Sequence, residues 1–114
     1  MSELTKKKCV PCEGGVPKLS EAEAQKLLGQ VEGWSLSQEG KRITREFAFK
    51  DFVENMAFVN RVAEIAEAEG HHPDFTVHYN RTQFEIWTHA IGGLSENDFI
   101  LAAKIDEVAN ATPS

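Results

Sequence analysis

From residue 34 to residue 87, apolar side chains recur at every second position in two separate pairs of short runs. Each pair leads into a stretch where the apolar spacing lengthens to three and four. A period of two puts alternate side chains on opposite faces of a strand, and a period near 3.6 gathers them on one side of a helix. The first pair is 34–37 and 43–49, separated by the polar Gln38-Glu39-Gly40-Lys41. In its second run Ile43, Phe47 and Phe49 alternate with Thr44, Glu46 and Ala48, the pattern of a half-buried strand with one wet face. In the second pair Phe75, Val77 and Tyr79 alternate with Thr76 and His78, Asn80-Arg81 turns the chain, and Phe84 and Ile86 alternate with Gln83, Glu85 and Trp87. A two-residue turn there puts Phe75, Val77, Tyr79, Phe84 and Ile86 on one face, with Tyr79 in the core. His78, Trp87 and His89 are left to the other.

Three helices frame these hairpins. Ser20 caps the first, with Glu23 at the capping-box position, and Gly29 ends it. Asp51 caps a long second helix in which Phe52, Met56, Val59, Val62, Ala63 and Ala66 make the apolar stripe, up to a stop at Gly70. Ser95 caps the last, with Asp98 in its first turn and Leu101, Ala102, Ile105 and Val108 facing the core. The order α-β-β-α-β-β-α predicts an α+β fold: a four-stranded antiparallel sheet with three helices packed on one face. Residues 1–18 read as an extended arm and 19–110 as one domain, which a 114-residue chain with 41% hydrophobic content can sustain.

The net charge of −6 argues against nucleic-acid binding, which calls for a basic patch longer than Lys6-Lys7-Lys8. No apolar run approaches the roughly 20 residues of a membrane span, and the N-terminus lacks a signal-peptide core, so a soluble cytoplasmic protein with no membrane partner is expected. Cys9 and Cys12 form a single CVPC motif, readable as half a zinc site, a redox pair or two reduced thiols in the arm. A Cys₂His₂ zinc site with two of the histidines is disfavoured, because adjacent His71 and His72 rarely point the same way and the spacing from the cysteines matches no known pattern.

All four histidines fall between Glu67 and Phe99. Histidine both donates and accepts protons near neutrality, so a proton-transfer site is the first expectation. Glu67, His71-His72-Pro73, Tyr79, His89 and Asp98, spaced as they are, closely resemble the signature of the pterin-4a-carbinolamine dehydratases. The segment THAIGGLSENDF is similar to that family's start of the last helix, and the resemblance runs from Leu19 to Val108.

The resemblance implies loss of water from a 4a-hydroxytetrahydropterin, giving a quinonoid dihydropterin in tetrahydrobiopterin recycling, with no cofactor and no metal. It implies His71 and His89 as exchangeable acid and base, and His72 as the residue that mainly holds the pterin and shares base duty. Asp98 is then expected to orient His89, while Pro73, Thr88, Ala90 and Ile91 line the pterin, with Trp87 as a wall for a flat ring. An aromatic amino acid hydroxylase is an implied pathway partner, and a homodimer or homotetramer the implied assembly. Plainer roles compete: a helix-end cap for His71, a solvated loop residue for His72, a dipole-complementing acid for Asp98, and a solvated helix residue for Glu67. His78, on the wet face, is left out of the site. A different class also stays open: animal relatives pair with the dimerisation helix of a transcription factor, and the stripe of the second helix could make this chain a helix-pairing module.

Overall fold

The computed structural model describes residues 4, 18–31, 33–37 and 41–111. Cys9, Cys12 and the Lys6-Lys7-Lys8 run lie outside the described residues. The elements are α1 (Glu21–Leu28), β1 (Ser35–Ser37), β2 (Arg42–Ala48), α2 (Phe52–Glu69), β3 (Asp74–His78), β4 (Arg81–Ile86), a 3-10 turn (His89–Ile91) and α3 (Glu96–Ala111). The four strands form one antiparallel sheet in the order β1-β2-β4-β3. The expected α+β order and sheet are found, with the three helices on one face.

The alternation in β2 and β4 works as the periodicity requires. Ile43 pairs with Ile86 and Phe47 with Thr82, and all four side chains are buried on the helix side. Arg42, Thr44, Gln83 and Glu85 take the opposite, open face. Against the buried side pack Phe58 of α2 and a nearly continuous buried run, Phe99 to Ala103 with Ile105, in α3. A helix buried around most of its circumference reads as the centre of its layer; α3 touches both α1 and α2. No helix among the described residues is long and apolar enough to cross a membrane.

Two details differ from the sequence reading, and one buried side chain accounts for both. The register pairs His78 with Arg81, so the two-residue turn is Tyr79-Asn80, one position earlier than expected. Because the partner sum shifts by two, Phe75, Val77, Phe84 and Ile86 still share a face. Tyr79, however, moves out of the strand and is exposed, its ring stacked 6.4 Å from that of Phe52. Asn55 of α2 is fully buried beneath this turn, its amide donating to the carbonyls of His78, Tyr79 and Arg81 and its oxygen accepting from Thr82 Oγ1. A buried amide must satisfy both ends, which sets the turn and also the phase of α2. The buried face is therefore Asn55, Phe58, Val59, Val62 and Ala66, while Phe52 and Ala63 of the expected stripe are exposed.

Candidate active site

The site begins where α2 stops. Gly70 has φ 67°, in the left-handed region that glycine enters without a Cβ penalty, and its N–H donates to the Ala66 carbonyl. The His71 N–H donates to the same carbonyl at 3.2 Å. From this end the chain runs extended toward β3, and successive side chains point opposite ways. His71 is buried and His72 is exposed. Pro73 disfavours a helical backbone at His72 and keeps the exit extended.

The second half comes from the far end of β4. Thr88 forms an isolated bridge to Gly93, its N–H donating to the Gly93 carbonyl at 2.8 Å. Between them the chain makes the 3-10 turn that carries His89, Ala90 and Ile91, closed by Gly92 at φ 61°. Leu19 N–H donates to the Leu94 carbonyl, so the segment leading to α1 clamps the same loop. Ser95 and Asp98 follow at the start of α3.

Asp98 joins the two halves. Its carboxylate is fully buried; Oδ1 lies 2.6 Å from His71 Nε2, and Oδ2 accepts from Thr88 Oγ1 at 2.9 Å and from the Ser95 N–H at 2.8 Å. Thr88 Oγ1 also lies 2.7 Å from Ser95 Oγ. A hydroxyl has a single hydrogen, and that of Thr88 is committed to Asp98, so Ser95 donates to Thr88. A carboxylate only accepts, which puts a hydrogen on His71 Nε2. Buried polar groups of this kind are stable only when each has its partner, and here serine, threonine, aspartate and histidine supply one another.

The other two imidazoles are held differently. His72 Nε2 lies 2.5 Å from Glu67 Oε2, a pair with both side chains in solvent. His89 stacks on Trp87, ring centroids 4.2 Å apart and planes 28° from parallel. The Arg42 guanidinium also lies over the Trp87 ring, 3.8 Å from its centroid, and pairs with Glu85 at 3.0 Å.

The structure thus brings together His71, Thr88 and Asp98 in direct contact, with His72 and His89 each adjacent in sequence to a member of that network. It corrects one expected link: Asp98 orients His71, not His89. It also covers the indole of Trp87 with protein groups, so that ring is not an open wall. Sequence reasoning passed over Arg42 and Glu85, which carry no local signal, and gave Ser95 only the role of a cap, although its hydroxyl faces Thr88. Glu67, part of the quoted pattern, is solvated as expected and meets His72. An open cleft of about 610 Å³ lies over the β3–β4 hairpin, between Pro73 and the β3 residues Asp74 and Thr76 on one side and Gln83 and Glu85 of β4 on the other. Of the expected site residues it takes in Pro73, and among the described residues the histidines lie outside its lining.

Comparison with known proteins identifies the family. The family model described as pterin 4 alpha carbinolamine dehydratase matches residues 17–108. A relative from Nitrosospira multiformis that carries the pterin-4-alpha-carbinolamine dehydratase name is 56% identical over 106 residues, covering 93% of this chain and 92% of its own length. One from Nitrosomonas eutropha with the same name is 56% identical over 105 residues, covering 91% of each. Among solved structures, one titled transcriptional coactivator/pterin dehydratase from Brucella melitensis superposes with a TM-score of 0.79 at 34% identity, covering 82% of this chain and 99% of its own. With its model matching residues 17–108 and relatives more than half identical over most of the chain, this chain belongs to the pterin 4 alpha carbinolamine dehydratase family.

Proposed function

We propose that this protein removes water from a 4a-hydroxytetrahydropterin by histidine acid/base catalysis, serving tetrahydrobiopterin recycling alongside an aromatic amino acid hydroxylase. The observation that carries the reading is the Asp98 carboxylate, which bonds His71 on one side and Thr88, the neighbour of His89, on the other. It ties both histidine-bearing segments to one buried point. In the reaction the C4a hydroxyl takes a proton and leaves as water, the adjacent ring nitrogen gives up its proton, and a C=N bond forms. The step is redox-neutral and needs one donor and one acceptor. His71, with Nε2 committed to Asp98, exchanges its proton at Nδ1; His89 does the complementary transfer, and the two roles are exchangeable on this reading. Each such transfer is typically worth about 10²- to 10⁴-fold in rate. His72, outside the buried network, holds the pterin with Pro73 and the His89–Ile91 turn, while Thr88, expected to line it, is fully buried and serves the Asp98 network instead.

The test is to generate the carbinolamine in situ and follow its dehydration by wild type, His71→Ala and His89→Ala. Each variant should fall by about 10²-fold or more. Wild-type rates in both would end the assignment.

A second reading, a helix-pairing module that assembles with itself or a partner, draws support from exposed Phe52 and Val53 on α2 and from the coactivator half of the Brucella title. Self-association is the favoured form, giving a homodimer or homotetramer, and light scattering that returns a monomer at micromolar concentration removes that form.

A further inference from the structure

His71 and His72 each meet a carboxylate, but among the described residues the His89 ring makes no ion pair. What holds it is the face of Trp87. The geometry points to a positioning device not contained in the family pattern: Glu85, Arg42, Trp87 and His89 form a continuous stack that sets the plane of the His89 imidazole. This inference rests on the catalytic reading of His89.

The sequence places these residues together through two registers. Glu85 and Trp87 stand two positions apart on the open face of the sheet, and Arg42 lies on the same face, one position before Ile43, which pairs with Ile86. The guanidinium therefore reaches both its neighbours: it pairs with Glu85 at 3.0 Å and covers the indole at 3.8 Å from the ring centroid. Planar guanidinium stacks on an aromatic face as an ammonium does not, and its charge is drawn to the ring quadrupole. Held in this way, the indole is a fixed plate for the imidazole of His89, which emerges two residues later at the start of the 3-10 turn.

An exposed histidine on a short turn otherwise samples several rotamers, and catalysis depends on the fraction that is correctly aimed; a displacement of about 1 Å can cost roughly 10²-fold in rate. Trp87 restricts the ring to planes near its own. Glu85 also lines the cleft over the hairpin, so the stack runs from the cleft wall to His89. A ligand in the cleft that engages Glu85 would press on the same chain of contacts.

The experiment compares Trp87→Leu, Trp87→Phe, Arg42→Met and His89→Gln by steady-state kinetics and by NMR of the histidine ring protons. In wild type the His89 ring protons, assigned by their loss in His89→Gln, should be shifted upfield of those of His78 by the indole ring current. Trp87→Leu should abolish that shift and lower kcat by about tenfold, with KM within about twofold, since only orientation is lost. Trp87→Phe keeps a flat face and should retain most of the rate. Arg42→Met, on the open face, should give a loss of about threefold in kcat with the shift reduced, and it reads the stack independently should Trp87→Leu fold poorly. The proposal is overturned if Trp87→Leu or Arg42→Met keeps wild-type kcat while His89→Gln is inactive, or if the wild-type His89 protons show no upfield shift. Full activity in His89→Gln itself overturns the catalytic reading, and the proposal with it.

Discussion

Two adjacent histidines, each bonded through Nε2 to a carboxylate, stand in opposite environments. His71 and Asp98 are 2.6 Å apart with side chains 7% and 0% exposed; His72 and Glu67 are 2.5 Å apart with side chains 58% and 78% exposed. Distance does not distinguish them, but their surroundings do. Asp98 is fully buried, out of reach of bulk solvent, so the loss of any of its three donors, His71, Thr88 and the Ser95 backbone, leaves a buried group unsatisfied. Around Glu67 water replaces His72 at small cost, and the attraction is screened. One pair can hold an imidazole in a single orientation; the other leaves its imidazole free to adapt to a substrate. The alternation of an extended segment between Gly70 and Asp74 is enough to produce this division from two identical residues.

Removing the buried partner should have the largest effect. Asp98→Ala leaves three donors facing a cavity and should destabilise the fold by about 3 kcal/mol, the order expected when one member of a buried pair is deleted. Asp98→Asn keeps the volume and one acceptor oxygen, and its stability loss should be about 1.5–3 kcal/mol, the worth of charge-assisted hydrogen bonds. Both should lose roughly 10²-fold in kcat as the His71 ring loses its orientation. Chemical denaturation and carbinolamine dehydration assays check the two effects. A stable, fully active Asp98→Asn variant would show that burial does not separate the two pairs.

The exposed pair should respond weakly and differently. Glu67→Gln should change stability by less than about 0.5 kcal/mol. On the proposed role of His72, its kinetic effect should be a few-fold rise in KM with kcat nearly unchanged. At about 1 M salt, where the screening length is about 3 Å, the difference between Glu67→Gln and wild type should disappear, whereas that between Asp98→Asn and wild type should persist. Kinetics in low and high salt with all three proteins make the comparison. A Glu67→Gln loss as large and as salt-resistant as that of Asp98→Asn would place both pairs in one class.

Local features read well from the sequence because their causes are local. The Ser20–Glu23 capping box, the Asp51 cap, the Gly70 stop and the alternation in β2 and β4 each depend on residues within a few positions, and each is found. The hairpin turn and the phase of α2 were misread because Asn55 settles both from 23 to 26 residues away. In the site, the resemblance brought out His71, His72, His89 and Asp98, with Thr88 from the segment beside His89, but not which of them meet. Asp98 reaches His71 across 27 positions and Thr88 across 10, through packing of α3 that no periodicity encodes. The stack on Trp87 depends on the lateral register of β2 against β4, which is likewise invisible in either strand alone.

A third carboxylate contact, fully in solvent, extends the comparison. Glu23 at the start of α1 is fully exposed, far along the chain from the site. Its carboxyl is held below the usual carboxylate range, first by the Ser20 backbone N–H it accepts and then by the Ser20 side chain, with burial opposing only slightly. Since the folded pKa is depressed, the charged form stabilises the fold above the ordinary carboxylate pKa, and that contribution is lost as the pH falls through the lowered folded value. Glu23→Gln keeps a capping-box acceptor without the charge, so it isolates this effect. Its melting temperature should sit slightly below that of wild type at neutral pH and converge on it in acid. If the Glu23→Gln deficit is unchanged between neutral and acid pH, the charge of Glu23 contributes nothing, and the exposed end of the scale is set by hydrogen bonding alone.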